Sequence, residues 1–293
     1  MIAGLLALAL AATPAPPAGK KVYISADMEG IAGVVTSEQL GPAGFEYARF
    51  REFMTDEVRA AIEAAREGGA GEIVVSDSHG NGQNLLIEKL PADVTIVRSW
   101  PRPLMMMEGI DARFAGAIFI GYHSSTTNPQ GVRAHTISSA TLADVRLNGV
   151  SLPEAGINAA IAGHFGVPVI MISGDDAIAA EAGRLLGGIE TAVVKWAISF
   201  HSARTRTPEA ARQVIHERVL AAMRRLGEFK PYRVTAPVEL EVRFKNYRPA
   251  ELLAYLDSVK RTDAHSIRFV GKDMLEVSRF LEFVTNYNSS LEP

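Results

Sequence analysis

The sequence contains no cysteine, and this absence excludes three kinds of chemistry. A thiol nucleophile, a zinc site built from thiolates and a disulfide bond all require cysteine. Any bound metal must therefore be held by nitrogen and oxygen atoms. Any nucleophile must be water, a hydroxyl, a carboxylate or an imidazole.

The sequence also lacks a large excess of charge of either sign. Its 293 residues carry a formal net charge of −3, so no overall positive field attracts nucleic acid or an anionic membrane. Arginines cluster between residues 204 and 225, but glutamates are interspersed with them on an amphipathic segment. This pattern is typical of a solvated helix face, and we expect no nucleic-acid partner.

A strongly apolar run occupies residues 2–12 and is too short to span a bilayer comfortably. It fits the hydrophobic region of a secretory signal peptide, with a candidate cleavage site at Ala9–Ala11 and a proline-rich spacer after it. No lysine or arginine precedes the run, which is unusual for such a signal. We expect a periplasmic or secreted protein, with residues 1–19 outside the folded domain. The alternative is an apolar tail or a mis-assigned start on a cytoplasmic protein.

The pattern of apolar runs and amphipathic segments predicts an α/β fold. Near-continuous apolar runs, which are typical of strands buried on both faces of a parallel sheet, occur over residues 20–27, 72–76, 94–98, 117–122 and 167–173. A long amphipathic helix is expected over residues 42–67. We predict a layered α/β/α core with a mainly parallel sheet over residues 20–200, and a smaller α+β subdomain over residues 201–293.

Acidic and histidine side chains follow three of the predicted strands. Asp27 and Glu29 come at the end of the first strand, His79 follows the second and His123 follows the fourth. Open α/β sheets bind ligands outside the carboxyl ends of their strands, so we expect these side chains to converge. Asp27 and Glu29 are two residues apart, so on an extended segment both carboxylates face the same way. This combination of groups predicts a hydrolytic metal site.

Each of these residues also has a structural interpretation. Asp27 is compatible with a turn in which Gly30 permits the bend, and a single histidine such as His123 is commonly a hydrogen-bonded core residue. The glycines after His79 could instead cradle a phosphate, although the full dinucleotide-binding fingerprint is missing. Asp77 is a candidate to accept a hydrogen bond from the His79 ring and to orient it.

Two further residues have candidate roles that the local sequence leaves open. His135 follows a polar loop after His123 and is either a general acid–base or a surface histidine. Glu154 begins a predicted helix and, with Ser151 three residues earlier, fits a capping box. The local sequence therefore favours helix capping over metal binding at Glu154.

Taken together, these segments resemble the zinc-dependent D-aminopeptidase family, whose type enzyme belongs to the dipeptide-permease operon. The resemblance extends from about residue 21 to the last helix. Its most specific element is the segment from Ser25 to Gly30, which fits the family signature Ser-x-Asp-x-Glu-Gly. Further family blocks are matched, in the same order, around His79, His123, Glu154 and Asp175.

The resemblance implies a site with two Zn²⁺ ions per subunit. In that site Asp27 would bridge both ions. Glu29 and His123 would complete one coordination sphere, and His79 and Glu154 would complete the other. The resemblance also implies a homo-oligomer, with a decamer-like ring as the expected form.

The predicted function is hydrolysis of short peptides that begin with a D-amino acid such as D-alanine, by a water that two metal ions activate. His135 matches the proposed catalytic histidine of the family. The loop between His123 and His135 is about one residue longer than the resemblance implies and lacks an arginine just after His123, so we expect its substrate contacts to differ from those of the family. Two alternatives remain open: another two-metal hydrolase such as a phosphoesterase, and an exported solute-binding protein without turnover.

Overall fold

The computed structural model describes residues 19–288. The predicted signal segment, including Ala9–Ala11, lies outside the described residues. Within the described range, no helix is both long enough and apolar enough to cross a membrane.

Seven strands, numbered along the chain, form the main sheet: β1 (Lys20–Ala26), β2 (Ala70–Asp77), β3 (Thr95–Val97), β4 (Phe114–Tyr122), β7 (Val169–Asp175), β8 (Glu190–Ser199) and β9 (Ser202–Thr205). Their order across the sheet is β3-β2-β1-β4-β7-β8-β9. All neighbours are parallel except β8 and β9, which pair in antiparallel fashion. The central strands are almost wholly buried, as their continuous apolar sequences predict.

Helices cover both faces of the main sheet. Helix α1 (Tyr47–Glu67) and helix α4 (Pro208–Arg224) pack on one face, because their apolar residues recur at spacings of three and four. Helix α2 (Glu154–His164) and helix α3 (Asp176–Leu186) contribute to the core on the other face. Helix α4 begins as its sequence predicts: Thr207 caps it and a proline occupies the first turn. The observed layers are those of an α/β/α sandwich.

A second, antiparallel sheet extends the core on the α2 side. Its strands are β5 (Leu142–Leu147), β6 (Val150–Ser151), β10 (Val238–Phe244), β11 (Val259–Arg261) and β12 (Ser266–Gly271). They lie in the order β11-β12-β10-β5-β6 and pack with α5 (Arg248–Leu253) and α6 (Met274–Asn286). The predicted fold class is confirmed. The division between the sheets does not fall at residue 200, however, because β5 and β6 join the second sheet whereas β9 and α4 belong with the first.

Candidate metal centre

The order in which the chain adds strands to the main sheet reverses between β1 and β4. Strands β2 and β3 lie on one side of β1, and the later strands lie beyond β4 on the other side. Two glycines allow the ends of these strands to approach closely. A Cβ atom on Gly30 would lie 2.0 Å from the carbonyl oxygen of Tyr122, and Gly121 adopts a φ of +72°. The segments that follow β1 and β4 therefore meet at the point where open α/β sheets bind ligands.

Asp27 and Glu29 project together from the segment that follows β1. Their carboxylates approach the same atom, His79 Nδ1: Glu29 Oε2 lies 2.8 Å away and Asp27 Oδ1 lies 3.3 Å away. All three side chains are buried. The two carboxylates therefore face the same way, as their spacing predicts.

A backbone carbonyl determines which nitrogen of His79 carries the hydrogen. Nε2 lies 2.7 Å from the carbonyl oxygen of Leu40, which can only accept a hydrogen bond. Nε2 therefore carries a hydrogen, and Nδ1 is the ring nitrogen that faces the two carboxylates. The predicted orienting role of Asp77 is wrong, because its carboxylate instead accepts hydrogen bonds from the backbone amides of Asn84 and Leu85.

His123 brings Glu154 into the same cluster. His123 Nε2 lies 3.2 Å from Asp27 Oδ2 and 3.4 Å from Glu154 Oε1, while its Nδ1 faces the carbonyl oxygen of Ser124 at 3.2 Å. Glu154 makes no capping hydrogen bond, so the predicted capping box is wrong. Its Oε1 instead accepts from the backbone amide of Ile137 at 2.6 Å.

The contacts divide the cluster differently from the resemblance. Glu29 lies beside His79, and Glu154 lies beside His123, whereas the resemblance pairs Glu29 with His123 and His79 with Glu154. The side-chain contacts therefore favour a different division of the ligands from the one that the resemblance implies. Asp27 occupies the middle, with one carboxylate oxygen toward each histidine.

His135 lies at the edge of the cluster. Its Nδ1 contacts the carbonyl oxygen of Arg133 at 2.8 Å, which leaves Nε2 free of hydrogen and 3.6 Å from Glu154 Oε1. Burial and the neighbouring His123 ring lower the pKa of His135. Arg133 and Ile137 on either side both have positive φ, at 53° and 65°. This conformation is rare for a β-branched residue such as Ile137, and strained backbone of this kind clusters at functional sites.

The donor set is suited to divalent cations. Asp27 Oδ2, Glu29 Oε2 and His123 Nε2 are buried and have no hydrogen-bond partner within residues 19–288, despite their short separations from one another. Two ligands at about 2.1 Å from a tetrahedral zinc ion lie roughly 3.4 Å apart, which is close to the separations of 2.8 to 3.4 Å seen here. Two groups of three side chains each offer ligand atoms that all lie within 4.8 Å of one another: Asp27, Glu29 and His79 form one group, and His123, His135 and Glu154 form the other.

The charges favour a cation at these positions. Burial and the Glu29 carboxylate raise the pKa of Asp27. Burial lowers the pKa of His79 and of His123, but the carboxylates beside them outweigh this effect and hold both pKa values well above the usual range. Buried carboxylates this close together repel one another unless positive charge lies between them.

Sequence reasoning missed one buried residue that supports the site. Lys195 on β8 is fully buried, and its ammonium group donates to the backbone carbonyls of Glu29, Ile31 and Val34. These three bonds use all of its donors and fix the segment that carries Glu29. The available signal was a lone lysine within an apolar strand, Val193 to Trp196.

A cavity of about 350 Å³ lies against the cluster. Its lining includes four of the five predicted ligands and His135, together with Trp100, Met105 and Met106. The loop after His135 and helix α6 contribute further residues, among them Ile137, Ser138, Ser139, Glu282, Thr285 and Asn286. The cavity can hold a small molecule with one end at the ligand cluster.

Comparisons with known proteins agree with this geometry. The profile of the peptidase M55 family, described as D-aminopeptidase, matches residues 20–283. The D-aminopeptidase of Bacillus subtilis (strain 168) is 33% identical over 266 residues, which cover 90% of this chain and 96% of that protein. The solved structure of the Zn-dependent D-aminopeptidase DppA from Bacillus subtilis, a self-compartmentalizing protease, superimposes with a TM-score of 0.87 at 31% identity, covering 92% of this chain and 100% of that one. The chain belongs to the peptidase M55 family of D-aminopeptidases.

Proposed function

We propose that the protein is a zinc-dependent aminopeptidase that removes D-amino acids, D-alanine in particular, from the amino ends of short peptides. Its family membership supports this activity. The observation that carries the proposal is the position of Asp27, whose two carboxylate oxygens each face a different buried histidine. This arrangement supports a bridging ligand between two metal positions.

The proposal includes two Zn²⁺ ions per subunit. Glu29 and His79 would hold one ion, Glu154 and His123 would hold the other, and Asp27 would bridge them. Bound zinc lowers the pKa of a coordinated water toward neutrality and polarises the substrate carbonyl as a Lewis acid. The residues hold their ligand atoms in place through the carbonyls of Leu40 and Ser124 and the amide of Ile137.

His135 is the proposed acid–base residue. It lines the cavity, and the carbonyl of Arg133 holds its Nδ1 hydrogen so that Nε2 is available. Since burial and the His123 ring keep its pKa low, Nε2 is unprotonated at neutral pH and can accept a proton. We propose that Nε2 then delivers this proton to the departing amine when the peptide bond breaks.

We also propose that the chain forms a homo-oligomer that encloses its active sites, with a decamer-like ring as the expected form. The related Bacillus subtilis protein is a self-compartmentalizing protease. Large apolar side chains are exposed on the α5 and α6 side of this chain, including Tyr255, Tyr247, Leu252 and Phe283, which fits a buried contact in an assembly. Light scattering on the purified protein tests this proposal, and a monomer would overturn it.

Export is proposed on the pattern of residues 2–12 alone. Expression of the full-length chain and of a chain without residues 2–19, followed by cell fractionation, tests it. Only the full-length chain should leave the cytoplasm.

The activity is tested with zinc-loaded protein on three substrates: D-Ala-p-nitroanilide, L-Ala-p-nitroanilide and p-nitrophenyl phosphate. We expect cleavage of the D-amide, with little action on the other two. Phosphate release without amide cleavage would support a phosphoesterase, although no lysine or arginine among the described residues lines the cavity. A protein that binds a ligand but shows no turnover and contains no stoichiometric zinc would support the solute-binding alternative.

A further inference from the structure

Helix α6 forms one wall of the cavity, and this wall contains no predicted metal ligand. Glu282, Thr285 and Asn286 line the cavity from this helix, and their spacing of three and four places them on one helix face. The family profile ends at residue 283, so most of the helix lies within the matched region.

Glu282 is an unusual residue on this wall because its carboxylate is buried and only one of its two oxygens accepts a hydrogen bond from the described residues. The side chain is 6% exposed, and its Oε1 accepts from the backbone amide of Arg102 at 3.0 Å. Its Oε2 receives no hydrogen bond from any residue between 19 and 288. A buried carboxylate oxygen without a donor is energetically unfavourable, so a site of this kind is suited to a ligand that supplies one.

The nearby arginine does not fill this role. The Arg102 guanidinium donates to Ser76 Oγ and to the backbone carbonyls of Asp77 and Ser99. These bonds turn its donors toward β2 and the loop before Arg102, and Arg102 does not line the cavity. Burial raises the pKa of Glu282, and the Arg102 amide, the Arg102 charge and the Asn286 side chain only partly oppose this effect.

The charge of the cavity lining points to a cationic group on the ligand. Its acidic residues are Asp27, Glu29, Glu154 and Glu282, and it includes no lysine or arginine within the described chain. Two zinc ions would compensate the first three carboxylates. Glu282 would then be the one carboxylate in the lining whose charge is left for the substrate.

We propose that Glu282 binds the α-ammonium group of the first residue of the substrate. This inference rests on the proposed aminopeptidase function and names the residue that recognises the free amino end. An acylated or internal peptide nitrogen carries no positive charge and would leave the Glu282 carboxylate buried without a partner. Glu282 would thus restrict cleavage to the first peptide bond.

The test is Glu282→Gln, which keeps an oxygen for the Arg102 amide and replaces the other carboxylate oxygen with an uncharged NH2 donor. Two competitors of D-Ala-p-nitroanilide hydrolysis are compared at initial rate, D-alaninamide and D-lactamide, which differ in having an ammonium or a hydroxyl group; where a competitor is itself hydrolysed, its inhibition constant is that of a competing substrate. In the wild type we expect D-alaninamide to bind more tightly. In Glu282→Gln its inhibition constant should rise about 10- to 100-fold, as expected for a lost charge-assisted hydrogen bond, while that of D-lactamide changes little.

Two measurements separate recognition from a structural effect. The zinc content of Glu282→Gln should equal that of the wild type, and Glu276→Gln, on the same helix but outside the cavity lining, should leave both inhibition constants unchanged. If Glu282→Gln does not fold, Glu282→Asp replaces it, and its preference for the ammonium inhibitor should fall between that of the wild type and none.

The outcomes distinguish the two proposals. A zinc-loaded wild type that does not cleave the D-amide would overturn the proposed function and this inference with it. A wild type that cleaves the D-amide, together with a Glu282→Gln variant that keeps the wild-type preference for D-alaninamide, would overturn only the role of Glu282. A parallel loss for both inhibitors would also overturn it, since that result indicates a distorted cavity.

Discussion

The rings of His123 and His135 are stacked, with centroids 4.0 Å apart and planes within 8° of parallel. In each ring Nδ1 faces a backbone carbonyl, so both Nε2 atoms point toward Glu154 Oε1 at 3.4 and 3.6 Å. The two histidines thus approach the same carboxylate in the same way. They differ in their other contact, since His123 also faces Asp27.

This difference predicts separate roles for the two rings. His135→Ala should keep the wild-type zinc content but lower kcat about 100- to 10,000-fold, the usual contribution of a general acid–base. Metal analysis and steady-state kinetics on the same preparation check this expectation. Loss of one zinc equivalent would instead make His135 a ligand. His164→Ala, at the exposed end of α2, is the matched histidine control.

Asp27→Ala should abolish zinc binding and activity, because Asp27 contacts both histidines. The consequence is visible in stability as well. A chelator should lower the melting temperature of the wild type, since a ligand at 100 times its Kd stabilises a fold by about 2.7 kcal/mol. The same chelator should leave the melting temperature of Asp27→Ala unchanged, as measured by calorimetry. An equal drop in both proteins would place the stabilising metal elsewhere.

The close approach of β1 and β4 gives a test that changes no ligand. In Gly30→Ala the added Cβ would lie 2.0 Å from the Tyr122 carbonyl oxygen, so the strand ends must separate. We expect weaker zinc binding and a free energy of unfolding reduced by about 2 kcal/mol, in the range for strain and overpacking. Gly41→Ala is the control, because nothing lies within 4 Å of its added Cβ. Isothermal titration with Zn²⁺ and urea denaturation measure both effects, and equal behaviour of the two variants would contradict the account.

Much of the site could be predicted from sequence because of one geometric rule. Parallel strands place their carboxyl ends at one edge, so Asp27, His79 and His123 were expected to meet. Glu154 was harder to assign, because the pattern from Ser151 to Glu154 fits a helix capping box as well as it fits a metal ligand. Its actual partners, Ile137 and His123, are brought near by the fold, and no local pattern encodes them.

Lys195 shows the same limit more clearly. Its three carbonyl partners lie 161 to 166 residues earlier in the chain. Nothing in the sequence of β8 specifies which backbone carbonyls will face it. Local sequence patterns also could not predict which strands form the second sheet. Strand β5 pairs with β10, which begins about 90 residues after β5 ends.

Glu57 predicts a pH dependence of stability away from the metal ligands. It lies on the buried face of α1, and burial raises its pKa to about 7 from 4.5. Between these values the folded protein holds a proton that the unfolded chain has lost, so the contribution of Glu57 is full below pH 4.5 and declines as pH rises to 7. The difference corresponds to about 3 kcal/mol.

Glu57→Gln should remove this decline, because the amide oxygen can still accept from the Ala32 amide. Urea denaturation of the metal-free proteins at pH 5 and pH 7.5 measures it. The free energy of unfolding of Glu57→Gln, relative to that of the wild type, should be higher at pH 7.5 than at pH 5. The difference between the exposed control Glu63→Gln, on the same helix, and the wild type should be the same at both pH values. A constant difference between Glu57→Gln and the wild type would show that Glu57 does not titrate in this range.

The central claim is that five side chains from distant segments hold two zinc ions with Asp27 between them. Anomalous diffraction at the zinc edge, on crystals of the zinc-loaded protein, tests it most directly. We predict two peaks, one within about 2.2 Å of Glu29 and His79 and the other within the same distance of Glu154 and His123, with an Asp27 oxygen bound to each. A single peak, or peaks away from these residues, would contradict the account.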